Sequence, residues 1–251
     1  MTSSLCLLKP FVSPYELIRI GGDKDGSYLV PNDLKNITGC FSPGVSNRKD
    51  FEDELAKKYK IKSFMCDFSS DLKNFKTDLI ENMQFFDKKW LDIYEGKNNI
   101  SLDKWVNKYI SNSSDDLMLQ MDIEGAEYRN LLSASKTLLN RFRILIIELH
   151  QIYPFILDKK VNDITLLLEK LNNTHVCVHS HPNNCCGETI DQVTGMNIPN
   201  VIELTFLRKD RFKNGNIFVS SEIPHPKDIT ANVISRHPIH LNEKWFHPKK
   251  R

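Results

Sequence analysis

Residues 117–132, LMLQMDIEGAEYRNLL, constrain the fold of this chain more than any other segment. Leu117, Leu119, Met121 and Ile123 alternate at the period of a strand, and Gly125 then turns the chain into a helix-like pattern. A strand running into a glycine turn and a helix belongs to an open α/β sheet, where ligands bind in the crevice beyond the carboxyl ends of the strands. Three acids, Asp122, Glu124 and Glu127, fall at that end. The helix macrodipole accounts for acids in a first helical turn, and for Glu127 this structural explanation is preferred. Asp122 still belongs to the strand pattern, where a carboxylate needs a partner. A cation or a hydroxyl-bearing ligand would supply one.

The same alternation extends in both directions. An apolar run at 37–45 closes in SPGVS, residues 47–59 place Phe51, Leu55 and Tyr59 on one helical face, and 61–66 forms a second strand ended by Asp67. Strand, glycine turn, helix, strand and acid make a βαβ unit of the nucleotide-binding kind. Only Gly44 lies in the turn and no G-x-G-x-x-G is present, so a dinucleotide fits poorly. A cofactor with adenosine but no pyrophosphate fits adequately, with Asp67 free to hold ribose hydroxyls.

Further strands are predicted at 83–86, 117–123 and 142–149, with edge or antiparallel strands at 174–179 and 201–207. Helices are predicted at 101–110 behind a serine cap, at 125–140 and at 161–171, where Val161, Ile164, Leu168 and Leu171 are suitably spaced. The sum is a mostly parallel sheet with helices on both faces. Residues 1–36 read as a leader carrying GGDKDGSYLVP, a glycine and aspartate turn followed by a short strand, and the last thirty residues, with His225, His237, His240 and His247, as irregular.

A chain of 251 residues can bury one sizeable core, so a single domain over 1–251 is expected, with 1–36 as leader and 210–251 as a C-terminal extension. The formal charge of +2 comes from interspersed lysines and acids, which leaves no electrostatic footprint for nucleic acid, and the tail HPKKR is too short for a binding arm. No run of eighteen apolar residues and no secretory pattern is present, so no membrane association and a cytoplasmic location are expected. Six scattered cysteines read as reduced thiols, and Cys185 and Cys186 are adjacent where a zinc knuckle needs a spacer.

Three successive strands end in candidate ligands: Asp122, then Glu148 and His150, then His179 and His181. Parallel strands gather their ends at one edge, and a carboxylate and imidazole set with open positions suits Mg, Mn or Fe. Taken singly, each has a bland explanation: Glu148 bonded to a turn, His150 at the surface, His179 a satisfied core histidine. Their joint burial is costly without a shared purpose, which is what favours a site. Asn183 and Asn184, in HSHPNN, fit either a turn or recognition of sugar hydroxyls by paired donors and acceptors.

The combination of GGDKDGSYLVP, SPGVS followed by FE, DLMLQMDIEGAEYRNLL, IIELH and HSHPNN resembles the FkbM-like family of S-adenosylmethionine-dependent methyltransferases, from about Arg19 to about Leu207. The DIEGAE box and the histidine-asparagine turn are its most specific parts. The resemblance implies a seven-stranded Rossmann-like methyltransferase fold with a reversed last strand, and O-methylation of a sugar hydroxyl. By position it sets Ser42, Gly44 and the rest of that loop against the methionine part of the cofactor, Asp67 on the ribose, and Met65 and Phe68 beside the adenine. Asp23 and Tyr28 would lie near the cofactor's carboxylate end.

The expected reaction is therefore O-methylation of a sugar, nucleotide-linked and destined for a surface polysaccharide, by in-line displacement in which positioning supplies most of the acceleration. A divalent metal on Asp122, Glu148 and His181 would orient and acidify the acceptor hydroxyl, His150 would take its proton, and Glu124, Asn183 and Asn184 would hold the acceptor. The alternatives are a metal-free enzyme with a histidine or aspartate base, and a nucleotide-binding module without catalysis. Assembly into a homo-oligomer stays open.

Overall fold

A computed structural model describes residues 8–152, 161–192, 195–213, 222–228, 231–242 and 245. Cys6, His247, the HPKKR tail and the side chain of Val161 lie outside the described residues.

The central sheet has seven strands: β3 (Ile37–Pro43), β4 (Lys62–Cys66), β5 (Gln84–Asp87), β8 (Asp116–Met121), β9 (Phe142–His150), β10 (His175–Ile190) and β11 (Asn197–Arg208). Across the sheet they run β10, β11, β9, β8, β3, β4, β5. The five from β9 to β5 are parallel, and β11 pairs antiparallel with both β9 and β10. This is the expected α/β architecture with its reversed strand. The order turns around between β3 and β8, because the chain leaves β3 toward β4 and β5 and returns on the other side. Such a switch point opens a crevice where the loops diverge.

Strand periodicity divides the core into two layers. Phe41, Phe64, Leu119, Leu145 and Phe206 pack on one side, while Cys40, Met118, Ile144, Ile146 and Leu207 pack on the other. β9, apolar throughout as central parallel strands are, is buried at all nine positions.

The helices are α1 (Asp50–Glu54), which continues as a π-turn over Leu55–Tyr59, α2 (Leu102–Tyr109), α3 (Glu127–Ser133), α4 (Lys136–Leu139) and α5 (Val161–Asn172). The single helix expected over 125–140 is two, because Ala134 is extended and the Ser135 hydroxyl caps α4 by accepting from the Leu138 N–H at 3.1 Å. Ser101 stands at the start of α2 but does not cap it, its hydroxyl donating to Glu95 at 2.6 Å.

Two small sheets stand apart from the central one. β1 (Leu17–Ile20) and β2 (Tyr28–Pro31) form an antiparallel hairpin across the GGDKDG turn, and β6 (Trp90–Leu91) pairs with β7 (Asn99–Ile100). The expected turn and short strand of GGDKDGSYLVP are borne out as β2, while β1, β6 and β7 are not predicted from the sequence. The Thr205 hydroxyl on β11 donates to the Leu29 carbonyl at 2.8 Å, tying the leader to the sheet. The cysteines at 40, 66, 177, 185 and 186 are free thiols. No helix among the described residues is long and apolar enough to cross a membrane.

Candidate active site

Four loops leave the carboxyl ends of β3, β4, β8 and β9. Ser46 and Asn47 after β3, Glu124 after β8 and Gln151 after β9 all have positive φ, at 44°, 58°, 56° and 56°. Left-handed backbone at residues other than glycine is strained; three more such residues, Asn36, Lys60 and Asn82, precede β3, β4 and β5 at the opposite edge, so it is the residues these loops carry that single out the carboxyl edge. Gly44 (φ 86°) lies at the switch point itself. A Cβ there would stand 1.6 Å from the Asp122 carbonyl oxygen, so only glycine lets the ends of β3 and β8 meet.

Two cavities open on either side of that contact. One, of about 570 Å³, runs from Gly44 and Ser46 past Cys66, Asp67 and Ser69 to Trp90, Asp92 and Arg129. The other, of about 190 Å³, is lined by Asp25, Tyr28, Arg48, Glu52 and Gln120. Gly44, Ser46, Asp122 and Glu124 belong to both.

Asp67 closes the floor of the first cavity. One carboxylate oxygen accepts from the Ser69 N–H (2.8 Å), the Ser69 hydroxyl (2.6 Å) and the Ser70 N–H (3.2 Å). The other accepts from the Ser46 N–H (2.9 Å) and the Ser70 hydroxyl (2.7 Å). Burial alone would raise its pKa, but these donors outweigh that and hold it low. A ribose hydroxyl would have to share oxygens already engaged. Met65 and Ser42, placed beside the cofactor by the resemblance, are buried in the sheet, where they pair across strands, and line neither cavity; Cys66 and Ser46 take those places. Phe68 packs on Trp90 at 5.5 Å, and it is Trp90 that lines the cavity. Asp23 is exposed and lines neither cavity, whereas Asp25 lines the second.

His150 is the centre of the acidic edge. Its Nδ1 lies 3.1 Å from Glu127 Oε1 and 3.1 Å from the Glu148 carbonyl, two acceptors that put the ring hydrogen on Nδ1. Its Nε2 faces Glu124 at 3.5 Å, Asp122 at 3.7 Å and Glu148 at 3.8 Å. Burial disfavours the charged ring, yet the hydrogen bond and charge of Glu127, with Asp122 and Glu148, raise its pKa to about 9. Burial, then the charge of Glu148, raises Asp122 well above the usual carboxylate range.

The structure brings Asp122, Glu124, Glu148 and His150 together and leaves His181 out. β11 lies between β9 and β10, so His181 faces Glu203, which faces Glu148. At about 4.8 Å per strand, His181 is two strands from Glu148. Its Nε2 bonds Asn232 Oδ1 at 3.1 Å and its Nδ1 faces Asp228 at 3.6 Å, while His179 bonds Asp228 at 2.7 Å. Asn184 is also elsewhere: its amide donates to the carbonyls of Val233, Arg236 and His237 and its oxygen accepts from the Val233 N–H. Asn183 is buried, donating to Glu148 at 3.0 Å and accepting from the Cys185 N–H, and Tyr28 donates to Glu148 at 3.4 Å.

Sequence reasoning passed over Glu127 and Glu203. Glu127 does fill a helix start, accepting from the N–H groups of Ile123 (2.9 Å) and Gly125 (3.2 Å), but the same oxygen holds His150. Glu203 is an acid inside the apolar run VIELTFL, the very signal that singled out Asp122 and Glu148.

A solved spermidine synthase from Thermotoga maritima is similar at 9% identity and TM-score 0.39, over 94% of this chain and 85% of that one. No curated protein matches the chain. The family model described as the methyltransferase FkbM domain matches residues 32–174, more than half of the chain and the part that carries Gly44, Asp67, Asp122 and His150. With the seven-stranded sheet, this establishes that the chain is a methyltransferase belonging to the FkbM family.

Proposed function

We propose that the chain methylates a sugar hydroxyl from S-adenosylmethionine, the acceptor being nucleotide-linked and destined for a surface polysaccharide. The observation that carries the chemistry is His150, with its Nε2 turned to the two acids that line both cavities. When bound, S-adenosylmethionine supplies an electrophilic methyl group on a sulfonium. Asp67 and Trp90 border the space for its adenosine. Asp122 and Glu124, which line both cavities, accept hydrogen bonds from acceptor hydroxyls. The departing proton passes to His150 Nε2 across Asp122, while Glu127 holds the ring by Nδ1.

A second reading rests on one observation. Asp122, Glu127 and His150 offer ligand atoms within 4.8 Å of one another, and Asp122 Oδ1 and Glu127 Oε2 are buried with no hydrogen-bond partner among the described residues. These residues fit a divalent cation such as Mg, Mn or Fe, which would acidify the acceptor hydroxyl. This set replaces the one built on Glu148 and His181. His150 cannot be ligand and free base at once, so the two readings exclude each other.

Calorimetric titration with S-adenosylmethionine, followed by transfer assays on free and nucleotide-linked sugars with and without chelator, tests both. The expected result is donor binding, transfer that rises with pH through about 9 as His150 loses its proton, and loss of at least about 100-fold in His150→Gln with donor affinity kept. Transfer abolished by chelator and restored by metal selects the cation. Absence of donor binding, or wild-type transfer by His150→Gln, overturns the proposal.

A further inference from the structure

The methyl donor proposed above ends in an α-carboxylate, and a carboxylate drawn into a protein cleft needs a cation or several N–H donors. Asp23 and Tyr28, the residues the family resemblance sets at that end, carry no positive charge. Among the described residues the two cavities are lined by three cationic side chains, Lys89, Arg129 and Arg48. Arg129 is engaged by Asp92 through two nitrogens, at 3.0 and 3.3 Å, and Lys89 donates to the Gly96 carbonyl at 3.3 Å. Both belong to the first cavity, with Trp90 and Asp67, where the adenosine would lie.

Arg48 stands apart in the second cavity, across the shared wall of Gly44 and Asp122. Its Nη2 is anchored, donating to the Asp25 carbonyl at 2.8 Å. Its Nη1 lies 3.9 Å from Asp25 Oδ2 and its Nε 3.8 Å from Asp50 Oδ2, both beyond hydrogen-bond length. Half-exposed pairs of that length add little to stability, so they do not account for a guanidinium held at a cavity wall. The anchor uses one of the two N–H bonds of Nη2 and leaves the other, with Nε or with Nη1, able to take a planar carboxylate.

We propose that Arg48 receives the α-carboxylate of the methyl donor, so that the methionine arm turns from Gly44 into the second cavity. Five carboxylates line that cavity: Asp25 and Asp50 flank Arg48, Asp122 and Glu124 face His150, and Glu52 is left for the neighbouring ammonium. This assignment rests on S-adenosylmethionine being the donor.

Calorimetry with three probes tests it: S-adenosylhomocysteine, its decarboxylated form and methylthioadenosine, which lacks the arm. The wild-type protein is expected to favour S-adenosylhomocysteine over the decarboxylated probe by about 10- to 100-fold, as a charge-assisted pair gives. Arg48→Met should bring that ratio close to one and leave methylthioadenosine binding unchanged. A wild-type ratio near one overturns the assignment without any variant, as does an Arg48→Met protein that keeps the wild-type ratio. Equal weakening of all three probes in that variant would mean that Arg48 only shapes the loop, and also overturns it. Failure of the wild-type protein to bind any probe refutes the donor instead, which separates the two ideas.

Discussion

His150 and His175 are both buried imidazoles whose surroundings push them in opposite directions. His150 has four carboxylates around it and is raised; His175 has none in contact, and burial lowers it to about 4. The His175 ring stays neutral between the Phe142 carbonyl, at 2.7 Å from Nε2, and the Thr174 hydroxyl, at 2.8 Å from Nδ1. Since its folded pKa is below the ordinary 6.5, the unfolded chain takes the proton first. Stability is then lost as pH falls from about 6.5 to about 4, by about 3 kcal/mol in all. Urea unfolding at pH 7 and pH 4.5 should show a smaller loss in His175→Gln than in the wild type; equal losses would refute the assignment. Spacing alone hides this contrast, because the acids around His150 come from separate strands and loops.

Among the elements, the loops at the switch point are the most demanding. Gly44→Ala would need both a left-handed alanine and a Cβ inside the Asp122 carbonyl. Donor affinity should fall at least about tenfold and stability by about 2 kcal/mol or more, read by calorimetry and thermal melting; a variant matching wild type in both would show that the two strand ends need not touch. The central-sheet strands and their helices from residue 37 to 150 are legible because period-two and helical patterns alternate there, and because Asp67, Asp122 and Glu148 interrupt apolar runs, whereas the two-residue strands β6 and β7 are too short to show a period. The break within 125–140 is not legible either, since Ser135 competes as a cap in a stretch whose apolar spacing runs on. Ser42 and Met65 misled for a related reason: near a strand's end, one position decides whether a side chain meets the cavity or the interior.

At the scale of the molecule, the C-terminal segment is pinned to the β10–β11 hairpin by asparagines. Asn184 takes three carbonyls and one N–H of residues 233–237, Asn197 bonds the His240 carbonyl and the Asn242 N–H, and Trp245 is buried with its Nε1 donating to the Asn197 carbonyl. Asn184→Ala should cost about 1–3 kcal/mol and speed proteolysis within 231–242; unchanged cleavage would mean the segment is held by other contacts. Nothing in the local pattern announces that clamp, and nothing tells that β11 slips between β9 and β10, because pairing across such separations depends on the whole chain. That insertion has a consequence for synthesis. The five parallel strands can assemble as they leave the ribosome, but β10 emerges before β11, the strand that joins it to the sheet, and Glu203 joins Glu148 and His181 last. A nascent polypeptide halted short of residue 203 would already own every residue that lines the two basins, while Glu148 would still await the acid that faces it.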